Sequence, residues 1–180
     1  RSTLFPYTTL FRSLADIFMK YVNFCLSAVL LVLSGGSTKK ELPSTGYQPG
    51  ETIPNIVLTD LDGNRRNLHD YKGKKVVVNF WAAYDAQSRA NNVRLYRYLE
   101  MNGKDVVFLS IAFDTNRQIV ERTLALDDLK GAPRFYEMEG ADSKIYKEFR
   151  LNRGFRSYFV DEGGVITAMN ITPDLLKTIL

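Results

Sequence analysis

Side chains able to do nucleophilic or metal chemistry are scarce in this chain. Its 180 residues include one cysteine, Cys25, and one histidine, His69. That pair is too few for a protein zinc site, an iron–sulfur cluster or a disulfide framework. The polar group with the most chemical promise is Tyr84-Asp85-Ala86-Gln87-Ser88-Arg89. It follows a β-branched and aromatic run, Lys75–Trp81, and opens a helical stretch. A carboxylate just before a helix can cap it or take part in a polar binding pocket. Acid–base catalysis would need a second carboxylate or a histidine, and none lies within this motif.

Other polar groups carry less. Asp60, Asp62 and Asn64 alternate as in a calcium loop, but the rest of such a loop does not follow, so turn chemistry is the expectation. His69, without a partner, reads as a surface or turn residue. Arg150, Arg153 and Arg156 stand three apart and form either a basic strip or a solvated surface. Lys and Arg exceed Asp and Glu by 24 to 20, a net charge of +4, and the basic residues are scattered. Nucleic acid is not an expected partner, and neither a metal nor a cofactor is expected.

The elements that would hold the motif are legible from patterning. Ile53–Leu58 and Arg66–Leu68 flank Thr59-Asp60-Leu61-Asp62-Gly63-Asn64, in which Asp62-Gly63 is a hairpin signal. Tyr71–Lys74 reads as a turn. Lys75–Trp81 is a continuous β-branched and aromatic run, expected as a central strand covered on both faces. A helix is expected over Ala86–Met101, with Ala90, Val93, Tyr96 (or Arg97) and Leu99 inward and Asn102-Gly103 as its stop. Val106–Phe113 reads as a second buried strand, Asn116–Leu126 as a helix, Arg134–Met138 as a short strand and Asp142–Phe149 as a helix. A hairpin over Ser157–Val160 and Val165–Met169 turns at Gly163-Gly164. The final helix, Pro173–Leu180, has Thr172 as its N-cap. Alternation of strands and helices implies a parallel centre with antiparallel edges.

This order and its residues resemble the thioredoxin-like proteins of the bacterial envelope, the TlpA/ResA and AhpC/TSA group. The resemblance covers about Gly50–Leu180 and is densest at Tyr71-Lys72-Gly73-Lys74-Lys75-Val76-Val77-Val78-Asn79-Phe80-Trp81-Ala82-Ala83-Tyr84. It implies a thioredoxin-like α/β fold: a central mixed sheet flanked by helices, with an N-terminal β-hairpin extension. It also implies that Asp85 and Ser88 occupy the two positions of the family's Cys-x-x-Cys motif, with Ala86 and Gln87 between them and Arg89 following. Thiol–disulfide exchange, peroxidase chemistry and thiolate copper binding all need sulfur there. Arg156 falls where the family carries a cis-proline, and a trans peptide is expected instead. The resemblance suggests a binding pocket formed by Trp81, Tyr84, Asp85, Ser88, Arg156 and Ser157, with Arg156 close to Asp85. Trp81 can equally be core. Two functions stay open. One is a redox-inactive binding or adapter protein with a protein or peptide partner. The other is the thiol–disulfide oxidoreductase or antioxidant activity of the relatives.

The first part of the chain reads separately. Residues 1–18 begin with Arg-Ser-Thr-Leu-Phe-Pro-Tyr-Thr-Thr-Leu-Phe-Arg-Ser, which resembles translated sequencing-adapter read-through, and a start at Met19 is expected. Residues 19–36 resemble a signal peptide: Met19-Lys20, a ten-residue apolar run Phe24–Leu33, then small residues. The run is too short to span a bilayer, which takes roughly 20 residues. Leu33-Ser34-Gly35-Gly36 resembles a lipobox without its cysteine. Export to the envelope is expected, with membrane contact only through the signal or a lost lipid anchor. Residues 37–52 read as a tether and 53–180 as the domain.

Overall fold

The computed structural model describes residues 18–22, 43–103, 105–129, 131 and 134–180. The chain divides into two compact units, Arg1–Glu41 and Leu42–Leu180. In the first, residues 18–22 are helical; the remainder of the leader and signal-like segments lies outside the described residues. Among the described residues, no helix is long and apolar enough to cross a membrane.

The second unit opens with an antiparallel hairpin of β1 (Val57–Thr59) and β2 (Arg65–Asn67). Asp60 closes its turn by accepting hydrogen bonds from Asp62 N (2.9 Å), Asn64 N (2.8 Å) and Asn64 Nδ2 (3.0 Å). This is an Asx-type turn. After a 3₁₀ turn at Leu68–Tyr71 comes the main sheet. Its strands are β3 (Lys75–Trp81), β4 (Val106–Ala112), β5 (Arg134–Tyr136), β6 (Ser157–Val160) and β7 (Ile166–Met169), in spatial order β5-β4-β3-β6-β7. The β3–β4 and β4–β5 pairs are parallel, and β6 and β7 add antiparallel strands. The helices are α1 (Ala86–Asn102), α2 (Arg117–Leu126), α3 (Lys144–Glu148) and α4 (Pro173–Ile179). This is the fold that the sequence resemblance implied.

Strand alternation divides the core in two. Val76, Val78 and Phe80 join the hairpin's Leu58, with Phe149 and Tyr158, on one face. Val77 and Trp81 meet Leu95, Leu99, Val120 and Leu176 of the helices on the other. Phe80 stands at the centre of the first, edge-on to Phe113 (5.6 Å), Phe149 (4.9 Å) and Tyr158 (5.9 Å).

Three sequence expectations change. The inward face of α1 is Ser88, Asn92, Leu95, Tyr96 and Leu99, while Ala90 and Arg97 are exposed and Val93 is half-buried. The helix begins its buried stripe with polar residues because the sheet beneath it presents polar partners. The stretch expected as one helix over Asp142–Phe149 is a 3₁₀ turn, Gly140–Asp142, followed by α3. Ser143 separates them in an extended conformation and caps α3, its Oγ accepting from Tyr146 N at 3.1 Å. Finally, part of the stretch 37–52 is bound to the domain. Thr52 N donates to Ser44 O (2.8 Å), Gly50 N to Ile166 O (2.8 Å) and Ile166 N to Glu51 O (2.8 Å), which lays this segment along β7.

Candidate functional site

The motif begins where β3 ends. Trp81 O accepts from Phe113 N (2.9 Å), and Ala83 N donates to Asp114 Oδ2 (2.9 Å), so β4 and its exit hold the loop 82–84 in place. Asp85 is the N-cap of α1: its Oδ1 accepts from Ser88 N at 2.7 Å. The Ser88 hydroxyl is committed twice, donating to Asp85 O (3.1 Å) and accepting from Ala82 N (3.3 Å). A nucleophilic serine needs a base to take its proton, and here that proton sits on a backbone carbonyl. Replacing Asp85 with Ala is expected to cost about 0.5–2 kcal/mol through loss of the cap, read as a lower denaturant midpoint with an unchanged slope.

Arg89 turns away from the motif. Its Nε and Nη2 donate to Asp127 Oδ2 (2.8 Å) and Oδ1 (2.6 Å), clamping the first turn of α1 to the end of α2.

Beneath α1 lies a buried polar network. Trp81 Nε1 donates to Ser110 Oγ (2.8 Å), which donates to Asn92 Oδ1 (2.9 Å); Asn79 Nδ2 donates to the same oxygen (2.9 Å). Asn79 and Ser110 are register partners on β3 and β4, so both meet Asn92 from one face of the sheet. Asn92 Nδ2 is buried without a hydrogen-bond partner among the described residues. Trp81, 1% exposed, belongs to this core and lines neither cavity described below.

A cavity of about 680 Å³ opens between α1, the loop before β6 and the start of α4. Of the residues named from the sequence, Asp85, Gln87, Ser88, Arg156 and Ser157 line it, while Trp81 and Tyr84 do not. Sequence reasoning missed Asn79, Asn91 and Arg94, and it left Arg153 open between a basic strip and a solvated surface. Three arginines, Arg94, Arg153 and Arg156, and one carboxylate, Asp85, line it, which gives the cavity a net positive charge. Arg156 and Asp85 share the cavity but form no ion pair among the described residues. The guanidinium lies instead near Tyr158, where it favours the phenolate against the stronger upward push of burial. The peptide bond before Arg156 is trans. Ser157 Oγ is occupied at its back, accepting from Ile171 N at 2.7 Å.

Tyr84 is 67% exposed and stands beside the cavity, edge-on to Phe155 at 6.2 Å. Phe155 in turn meets Phe113 (6.0 Å) and Tyr146 (6.1 Å), so a stack of rings rooted in the core carries the exposed one. The Tyr84 phenol is pushed up first by partial burial and then by Tyr146, Asp114 and Asp85.

Asp114, which sequence patterning did not single out, is 6% exposed. Burial raises its pKa above the ordinary 3.8, and the hydrogen bond from Ala83 opposes that rise. The folded chain therefore holds this proton to higher pH than the unfolded chain does. The resulting stability is complete below pH 3.8 and is lost as pH climbs through the raised folded value. Asp114→Asn keeps an acceptor for Ala83 N. The variant is expected to match the parent near pH 3 and to be the more stable of the two at pH 7, measured by denaturant melts at both pH values. Glu137, also raised by burial, leaves a residual slope in both proteins.

His69 Nε2 lies 2.9 Å from Ile53 O, a structural bond that places the proton on that nitrogen. No group of three or more His, Cys, Asp or Glu among the described residues could hold a metal ion.

Comparison with known proteins places this geometry in a family. The Redoxin family model matches residues 48–177. Thioredoxin-like protein YneN of Bacillus subtilis is 25% identical over 154 residues, spanning 81% of this chain and 88% of that protein. Thiol-disulfide oxidoreductase ResA of Geobacillus kaustophilus is 40% identical over 63 residues, a local match to 36% of that protein. Among solved structures, a thioredoxin-like protein from Parabacteroides distasonis superposes with a TM-score of 0.64 at 34% identity. That match covers 76% of this chain and 96% of the other.

Proposed function

The chain belongs to the Redoxin family, and on that premise we propose that its domain acts by binding a polypeptide partner and not by thiol chemistry. One observation carries the reading. At residues 85 and 88, which the resemblance aligns with the Cys-x-x-Cys motif, stand a carboxylate that caps α1 and a hydroxyl bonded to the backbone at Asp85 O and Ala82 N. No cysteine occurs after Cys25. Disulfide exchange requires a thiolate to attack one sulfur and a second thiol to resolve the mixed disulfide. A peroxidase requires a thiolate that can become a sulfenic acid.

What remains is a shaped surface. The cavity between Asp85 and Arg156 is large enough for several side chains and carries a net positive charge, which suits an acidic segment of the partner. Tyr84 beside it is an exposed aromatic anchor on a rigid base, the residue type enriched at binding hot spots. The signal-like stretch 19–36 supports a partner in the bacterial envelope. A thiol–disulfide oxidoreductase is the second reading, favoured by the names of the relatives. It would require a thiol that this domain does not possess.

Site-specific photo-crosslinking in the producing cell tests the binding role. A benzophenone side chain replaces Tyr84, Arg156 or, as a control, Met101, which is 74% exposed at the far end of α1. Positions 84 and 156 are expected to yield the same discrete adduct and position 101 none. No adduct at 84 and 156, or equal adducts at all three positions, would contradict the reading.

A further inference from the structure

Another cavity, about 490 Å³, is walled in part by Tyr84. Its walls include the rings of Tyr84 and Phe113 and the side chain of Ile119, which is 48% exposed. Its one ionisable acid is Asp114, on the short link between β4 and α2. Asp114 as a residue is 6% exposed. Its Oδ2 accepts from Ala83 N, and its Oδ1 has no protein hydrogen bond among the described residues. No lysine or arginine among the described residues pairs with it. Burial without a positive neighbour is the costly state for an ionised carboxylate.

The missing complement has definite properties. It is a cation, because the floor of the cavity is a carboxylate. It comes at the end of an apolar stem, because the walls are aromatic and aliphatic. A guanidinium matches a carboxylate best with two oxygens in parallel, but one oxygen of Asp114 already serves Ala83. An ammonium needs only the one that is left. The exposed face of Tyr84 adds attraction for a cation entering past it.

We propose that this cavity receives the side chain of a lysine from the polypeptide partner, its ammonium on Asp114 and its methylenes against Ile119 and Tyr84. The polypeptide source rests on the binding role proposed above; the cation site rests on Asp114 and its walls.

The full chain, labelled with nitrogen-15, is titrated with Nα-acetyl-lysine N-methylamide and with the norleucine analogue, which has the stem without the ammonium. The lysine probe is expected to shift the amides of Ala83, Tyr84, Asp114 and Ile119 and to saturate. The norleucine probe is expected to bind at least ~tenfold more weakly, and Asp114→Asn to weaken the lysine probe by at least ~tenfold. The variant's unchanged or raised stability separates lost recognition from lost folding. Equal binding of the two probes, or full binding to the Asn variant, would overturn the cation site even if crosslinking at Tyr84 succeeds. Lysine binding at Asp114 with no adduct at Tyr84 or Arg156 would keep the cation site and overturn its polypeptide source.

Discussion

Cysteines placed at positions 85 and 88 are expected to give this chain thiol–disulfide exchange activity. In a Cys25→Ser background, the Asp85→Cys/Ser88→Cys chain should form an intramolecular disulfide and reduce insulin at least ~tenfold faster than the same chain without the pair. The reason is positional. Residue 85 caps α1 and residue 88 lies one turn on, with Ser88 N 2.7 Å from Asp85 Oδ1. A thiol at the cap faces the exposed N–H groups and positive end of a 17-residue helix. Such sites lower a cysteine pKa from about 8.5 into the range of roughly 3.5–7.5. The exchange comes at the expense of the Asp85 cap, so the reduced double variant should also be less stable than the parent by about 0.5–2 kcal/mol. A pair that stays reduced under oxidising conditions would mean that 85 and 88 are not the motif positions.

Trp81→Ala is expected to be the most damaging single substitution near the site, at about 3–5 kcal/mol. Folded domains hold only about 5–15 kcal/mol in total, so the variant should show a sharply lower denaturant midpoint and poor yield. Trp81 fills the helix-side core with Leu95, Leu99 and Val120, and its indole N–H anchors the Ser110–Asn92–Asn79 network. Trp81→Phe keeps most of the volume and loses that donor, at about 1–3 kcal/mol. Because Trp81 lines neither cavity, the Phe variant should form the same adduct from position 84 as the parent. A Phe variant of parental stability that failed to bind would instead make Trp81 a wall of the binding site.

Much of the fold could be read from the sequence because patterning and local chemistry agreed. Lys75–Trp81 is apolar throughout apart from its first residue and Asn79, and it is the central strand. Asp85 and Thr172 are capping residues at the positions that need caps, and Pro173 follows Thr172 in the first turn. The hairpin turn was legible in Asp60, Asp62 and Gly63. The inward face of α1 was legible at Tyr96 and Leu99 but not in its first turns, because hydrophobic periodicity assigns Ser88 and Asn92 to solvent. Asn92 is buried because Asn79 and Ser110, from two strands paired across the sheet, meet it there, and Ser88 because its hydroxyl bonds the backbone at Ala82 and Asp85. Asp114 was missed for a related reason. After the apolar run Val106–Phe113 it reads as the polar residue that ends a strand. Its burial comes from Ala83 and Tyr84, some thirty residues earlier in the chain. Arg94 likewise reads as a solvated helix residue until the loop carrying Arg153 and Arg156 is folded opposite it. Arg94 and Asp114 owe their places to contacts distant in sequence, and each lines one of the cavities described above.

Without cysteines at 85 and 88, the unaltered chain is expected to have no thiol chemistry at this site. Insulin reduction by the full chain with dithiothreitol, followed as turbidity beside the Asp85→Cys/Ser88→Cys chain, measures it most directly. The parental trace is expected to overlay the buffer control while the double variant accelerates precipitation. Parental acceleration above buffer that persists after Cys25→Ser would contradict it.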